Sequence, residues 1–252
     1  MNEQLQAKRI LVTRPRHQAG NLCRLIEQQG GVAVRFPTLE IQALERPETI
    51  AARVAALEHV DWLIFISANA VNFVLNSNSG TINRLRRLRL AAVGKATAKA
   101  LQNNGLTVDL LPQHGFDSES LLRTPAMSAV DGKRCVIVRG QGGREILVDT
   151  LRERGADVEY LEVYRRVMPQ ADNSALLERL RENRLDAITI TSGEALRNLM
   201  EMLGGQACLL LPVPLVVISR RIGQMAETMG FKRIVVSDGP ADTSILQTLI
   251  TL

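Results

Sequence analysis

Aromatic side chains are nearly missing from this chain, at 3% of 252 residues, so a core of any size must be built from Leu, Ile, Val and Ala. Cysteine is as sparse. Cys23, Cys135 and Cys208 are odd in number, far apart and never part of a C-x-x-C pair, which argues against a disulfide framework and a zinc site alike. His17, His59 and His114 are equally dispersed, so no metal is expected. No apolar run approaches the roughly 18 residues of a membrane span, and no membrane association is expected. The opening MNEQLQAKRILVTRPR sets polar residues before one short apolar run and follows it with Arg14 and Arg16. That is not the pattern of a signal peptide, and the expected compartment is the cytoplasm. Two motifs are lacking as well. Without a G-x-S-x-G elbow no serine hydrolase is supported, and without G-x-G-x-x-G or a P-loop no nucleotide site is.

What is present is a soluble-protein composition, 46% apolar and 23% charged, with a formal net charge of +5. An excess of that size gives solubility unaided, and it also suits a partner rich in carboxylate or phosphate. The densest basic run, RLRRLRL at 84–90, leads straight into the apolar LAAV and has no aromatic platform. It reads as a solvated face, and no nucleic-acid partner is expected.

Short apolar runs alternate with helical patterns along the whole chain. RILVT, VAVRF, WLIFI, LAAV and TVDLLP read as strands; GKATAKALQNNG reads as a helix opened at Gly94 and stopped at Gly105. This alternation predicts parallel sheets covered by helices on both faces. Two strand-to-helix corners look alike: FISANAVNFVL (65–75) turns at Ser67-Ala68-Asn69, and ITITSGEALRNLM (188–200) turns at Thr191-Ser192. The offset between the two serines, 192 − 67 = 125, aligns much else without a gap. Lys8-Arg9 falls on Lys133-Arg134, Arg14 on Arg139, Gly30 on Gly155, Asp61 on Asp186, Gly105 on Gly230 and Asp117-Ser118 on Asp242-Thr243. Two copies are too few for a solenoid and fit two similar α/β domains. The repeat alone would set their boundary near 130.

In open α/β sheets ligands collect beyond the carboxyl ends of strands, where helix N-termini present unpaired N–H groups and a positive dipole end. A small residue such as Ala68 lets a ligand approach the backbone, and a hydroxyl such as that of Ser67 or Ser192 either caps the helix or donates to a carboxylate. Six such corners, three per copy, with Arg14, Lys95, Arg139 and Arg220 beside them, point to an anionic ligand between two domains. RGQGGREIL (139–147) is the most distinctive loop, reading either as a flexible turn or as an anion contact. Tyr164, one of two tyrosines, reads either as packing or as a hydrogen-bonding and proton-moving group.

Taken in order, ILVTRP, FISANAV, AVGKATAKAL, RGQGGREIL, LEVYRR, ITSGEAL and DTSIL make the chain resemble the uroporphyrinogen-III synthase family from about Ile10 to Leu249. The resemblance implies two flavodoxin-like α/β domains, each a parallel sheet flanked by helices, joined by a two-segment antiparallel linker. It places residues 1–37 plus 168–252 in a discontinuous first domain and 41–162 in the second, with linkers near 36–42 and 160–168. It also implies a cofactor-free lyase of tetrapyrrole biosynthesis that cyclises hydroxymethylbilane to uroporphyrinogen III, inverting ring D and losing water. Tyr164 matches the family's linker tyrosine and would help the hydroxyl leave. Thr97 matches the threonine of its G-x-x-T turn, and Arg139, Thr191, Ser192 and Thr243 match cleft-lining positions. At 218–224 the second copy reads ISRRIGQ, without that turn's glycine and threonine, so Arg220 or Arg221 would take a carboxylate there. A monomer is expected. The competing expectation is a two-domain binding or sensor protein for an anionic metabolite, which fits the same repeat and the same corners.

Overall fold

The computed structural model describes residues 4–77, 79–115 and 117–252. The strands in chain order are β1 (Arg9–Val12), β2 (Val32–Arg35), β3 (Glu40–Ala43), β4 (Trp62–Phe65), β5 (Leu90–Ala92), β6 (Arg134–Gly140), β7 (Asp157–Val167), β8 (Ala187–Ile190), β9 (Leu215–Val217) and β10 (Ile234–Val236). Between them run α1 (Arg16–Gln28), α2 (Pro47–Ala55), α3 (Ala68–Leu75), α4 (Ser79–Leu85), α5 (Lys95–Gln102), α6 (Ser118–Leu122) and α7 (Pro125–Ser128). The later helices are α8 (Ile146–Glu153), α9 (Ser174–Arg181), α10 (Gly193–Leu203), α11 (Arg220–Thr228) and α12 (Asp242–Ile250).

The chain forms two compact units. One comprises residues up to Glu40 together with Val167–Leu252, the other Ile41–Arg166. In the first, the sheet order is β10-β9-β8-β1-β2 and every neighbouring pair is parallel. In the second the order is β3-β7-β6-β4-β5; the four strands from β7 to β5 pair in parallel, and Leu110 adds a single parallel bridge to Ala91 at the β5 edge. A boundary near 130, the one the repeat alone suggests, falls inside this second unit.

The repeat reaches down to strand register. Arg9 faces Val32 as Arg134 faces Asp157, Ile10 faces Ala187 as Cys135 faces Trp62, and Ile188 faces Leu215 as Leu63 faces Leu90; each member is displaced by 125. The sheets nevertheless mix the copies. β1 and β2 of the first copy join β8, β9 and β10 of the second, while β4 and β5 join β6 and β7. One difference between copies matters later. The position equivalent to the start of α1 is Gln141, yet α8 begins only at Ile146, because Gly142 and Gly143 take φ of 72° and 109° and open a loop in place of the first turn.

The central strands of each sheet, such as β4 and β8, are buried on both faces, which explains why they read as continuous apolar runs. Along β4, Trp62 and Ile64 join one core cluster, while Leu63 and Phe65 join the cluster on the opposite face. On β8, Ala187 packs to one side and Ile188 and Ile190 to the other. Each such leucine or isoleucine is worth roughly 1.5–3 kcal/mol of burial. The buried Thr189 is accommodated by donating its hydroxyl to Leu11 O at 3.0 Å, and Thr13 donates to Thr189 O at 2.7 Å.

Candidate active site

Because the strands of the first sheet, and β7-β6-β4-β5 of the second, run parallel, their carboxyl ends gather on one edge of each sheet and the helices that follow start there. Ser67 opens α3 as its N-cap. Its Oγ accepts the Ala70 N–H at 3.1 Å, with backbone φ −155° and ψ 155°. The same oxygen lies 3.0 Å from the Tyr164 hydroxyl. When Tyr164 donates this bond, the Ser67 proton is left to point outward; when Ser67 donates, the Tyr164 proton is.

Tyr164 is 1% exposed, set near the end of β7. Its ring stacks on Phe73 with centroids 5.7 Å apart and planes 18° apart, and the Arg166 guanidinium lies 6.0 Å from its centroid. Gly140 makes room for it: a Cβ there would sit 2.5 Å from Tyr164 Cζ and 2.9 Å from Cδ2. The register slips by one residue between Arg139 and Gly140, so that Gly140 pairs with Tyr164 and Gln141 N–H donates to Tyr164 O at 2.7 Å.

The other corners repeat the device with variations. Ser192 caps α10 through the Ala195 N–H at 3.0 Å, with φ −153° and ψ 154° that match Ser67 within a few degrees. The position equivalent to Tyr164 in the other copy is Leu39, so the serine–tyrosine pair belongs to the second unit alone. Ser219 caps α11 through the Ile222 N–H at 3.4 Å and puts Arg220 and Arg221, both exposed, on the first turn. Gly94 opens α5 with no side-chain cap, so the helix begins Lys95-Ala96-Thr97 with Lys95 exposed and Thr97 buried. Ala68 and Thr191 are half-buried at their corners, and Thr243 is exposed on the first turn of α12.

Arg139 is engaged within its own loop. Its side chain is 3% exposed and does not face solvent. It donates to Gly140 O at 3.1 Å and to Gly142 O, pairs with Glu145 at 3.1 Å, and lies 4.5 Å from the centre of the Tyr160 ring. A guanidinium so enclosed requires acceptors, and the glycine loop supplies them. Arg139 therefore braces residues 140–145. Its counterpart Arg14 is also engaged, with Asp242 and with Pro240 O at 3.1 Å, but it keeps an open side.

Glu145 and Tyr160 complete the Arg139 clasp, and sequence reasoning passed over both. The Tyr160 hydroxyl donates to Glu145. That bond, aided by Arg139, holds the Glu145 carboxyl below its usual range; burial, then Glu145, pushes the Tyr160 phenol up to about 12. A tyrosine whose folded-state value is raised contributes stability present below about pH 10, its unfolded value, and lost as pH climbs towards 12. Because Tyr160 is the one tyrosine left in Tyr164→Phe protein, phenolate absorbance should report it directly: titration near 12 is expected, falling part of the way back when Glu145→Ala is added. A midpoint at the ordinary value would show the clasp to be open in solution.

Burial likewise pushes the Cys135 thiol up to about 11 and the Cys23 thiol upward, so both stay protonated and neither is primed as a nucleophile. Among the described residues no group of three or more His, Cys, Asp and Glu side chains is placed to hold a metal ion.

A family model described as uroporphyrinogen-III synthase HemD matches residues 21–247. The chain belongs to the uroporphyrinogen-III synthase family. It is 33% identical over 243 residues to the uroporphyrinogen-III synthase of Escherichia coli K12, covering 95% of this chain and 99% of that protein. The synthase of Chlorobaculum parvum is 29% identical over 93% of the chain and 96% of its own length. Solved uroporphyrinogen III synthases share the fold: a mutant form of the enzyme from Thermus thermophilus superposes with TM-score 0.63 at 20% identity, covering 96% of this chain and 97% of that one. A synthetase from Helicobacter pylori also gives 0.63, at 14% identity, covering 97% and 98%. Uroporphyrinogen-III synthases are cyclising lyases of tetrapyrrole biosynthesis.

Proposed function

We propose that this protein cyclises hydroxymethylbilane to uroporphyrinogen III, inverting ring D and releasing water. Membership of the family across residues 21–247 carries the reading. The corner geometry supports it, because the chemistry asks for positioning and proton delivery more than for an activated nucleophile. A proton given to the terminal hydroxyl lets it leave as water, and the pyrrole nitrogen's electrons form an azafulvene. The far pyrrole attacks through its already substituted carbon, giving a spiro intermediate that fragments and re-closes with the ring inverted.

The proton is delivered by the Ser67–Tyr164 pair: Ser67 donates outward and Tyr164 replaces its proton across the 3.0 Å bond. Substrate carboxylates bind at the corners, to helix N–H groups and to Lys95, Thr97, Thr191, Ser192, Arg220 and Thr243, with Ala68 letting the ligand reach the backbone. Arg14 serves the same end, while Arg139 acts by holding the glycine loop. The proposal includes two flavodoxin-like domains and a linker at the two crossings, near 36–42 and 160–168. Strand order supports the first point, since β2-β1-β8-β9-β10 is the 2-1-3-4-5 order; β3 pairing with β7 supports the second. A cytoplasmic monomer without a nucleic-acid partner is also part of the proposal; among the described residues no helix is long and apolar enough to cross a membrane.

The test supplies hydroxymethylbilane and analyses the isomers of the oxidised porphyrin. Type III product is expected in excess over the enzyme-free control. Type I alone, at the spontaneous rate, would overturn the proposal.

A further inference from the structure

The first unit holds a cavity of about 230 Å³ lined by Arg14, Arg16, Ala19, Arg35 and Pro37. That is well beyond the about 10–15 Å³ one water requires. Parallel pairing explains the cluster: Val12, the last residue of β1, stands opposite Arg35, the last of β2, so the two chain exits are side by side. Arg14 and Arg16 follow one exit and Pro37 the other.

The charges there are unbalanced. Asp242 answers Arg14, with Pro240 O at 3.1 Å beside it. Arg16 and Arg35 are exposed, and no carboxylate among the described residues pairs with either. Arg35 touches the Cys23 thiol, a weak acceptor held protonated by burial. The adjoining start of α1 adds to the field: Pro15 stands at the N-cap without a side-chain cap, and the first turn has no acidic residue. Ala19 and Pro37 make the apolar part of the wall. The cavity thus matches a carboxylate on a short hydrocarbon arm.

We propose that this cavity binds one carboxylate-bearing side arm of the substrate. Arg16 and Arg35 close on the carboxylate, and Arg14, locked by Asp242, forms the fixed wall. The proposal rests on the cyclase reading above and assigns two binding residues that motif matching does not reach.

Kinetics of the Arg16→Gln/Arg35→Gln double variant test it. KM for hydroxymethylbilane should rise about tenfold, with kcat within about twofold and the product still type III. Added salt should raise the wild-type KM more steeply than the variant's. The Arg16→Lys/Arg35→Lys pair, which keeps the charge, should recover most of the affinity. An unchanged KM in a double variant with wild-type circular dichroism overturns the proposal. An unchanged KM together with loss of the thermal stabilisation given by inorganic phosphate overturns it too, and assigns the cavity to a free anion. Should the double variant misfold, each single glutamine variant carries the same KM test. Wild-type protein that yields only type I porphyrin sinks the cyclase reading itself, an outcome separate from a type III-producing enzyme whose KM ignores Arg16 and Arg35.

Discussion

Tyr164→Phe should lower turnover by about two orders of magnitude and leave KM within a few-fold, the signature of a lost proton donor. The change removes one oxygen and little else. The ring keeps its stack on Phe73 and its place over Gly140, so folding should hold. What is lost is the 3.0 Å bond to Ser67 Oγ. Ser67→Ala should bring a similar fall in kcat, and in addition a stability loss of about 1 kcal/mol, because the Ala70 N–H loses its cap. If the two hydroxyls act as one relay, the double variant should be hardly slower than either single, since removing either member already breaks the path. Initial rates across a range of bilane concentration, read with the porphyrin isomer ratio, decide the point. Full turnover in folded Tyr164→Phe protein would return Tyr164 to a packing role, and effects that multiply in the double variant would dissolve the relay into two independent contacts.

The repeat, the strands and the capped corners were legible because they are local. An apolar run buried on both faces, a glycine at a helix end and a serine before a helix are each written within a few residues, and an ungapped shift of 125 made every one of them count twice. The mixing of the copies was not legible from the repeat. Because the two copies offer nearly the same edges and the same register, β1 pairs with β8 as readily as it would with β4 of its own copy, and the hydrophobic pattern is the same either way. The site residues divide along the same line. Ser67 and Ser192 cap as their patterns suggest. Arg139 does not show its destination, because a basic residue before a glycine-rich loop serves equally to meet a ligand or to tie the loop down. The choice rests on Glu145 and on Tyr160, which stands opposite Ile137 on β7 and is far from the loop in sequence. Arg35 was invisible for a related reason: it closes a strand with an ordinary apolar pattern, and only the pairing of Val12 with Arg35 brings it beside Arg14 and Arg16.

Gly140→Ala should damage stability and turnover together. Gly140 does not have a positive φ, so the added methyl brings no backbone strain; its cost is steric, set by a Cβ 2.5 Å from Tyr164 Cζ. The ring cannot slide freely, because Phe73 stacks on it and the residue is 1% exposed. Relief must come from rotating the tyrosine or parting β6 from β7, and overpacking of this kind costs about 1–3 kcal/mol. Either movement draws the hydroxyl away from Ser67, so kcat should fall at least tenfold alongside the loss of stability. A double-mutant cycle separates this cause from general damage to the strand. In a Tyr164→Ala background the ring is gone, and adding Gly140→Ala should then cost less than about 0.5 kcal/mol in urea unfolding, a coupling of about 1 kcal/mol or more. Equal costs in both backgrounds would mean that β6 itself rejects the methyl, and that the glycine is not there to seat the tyrosine.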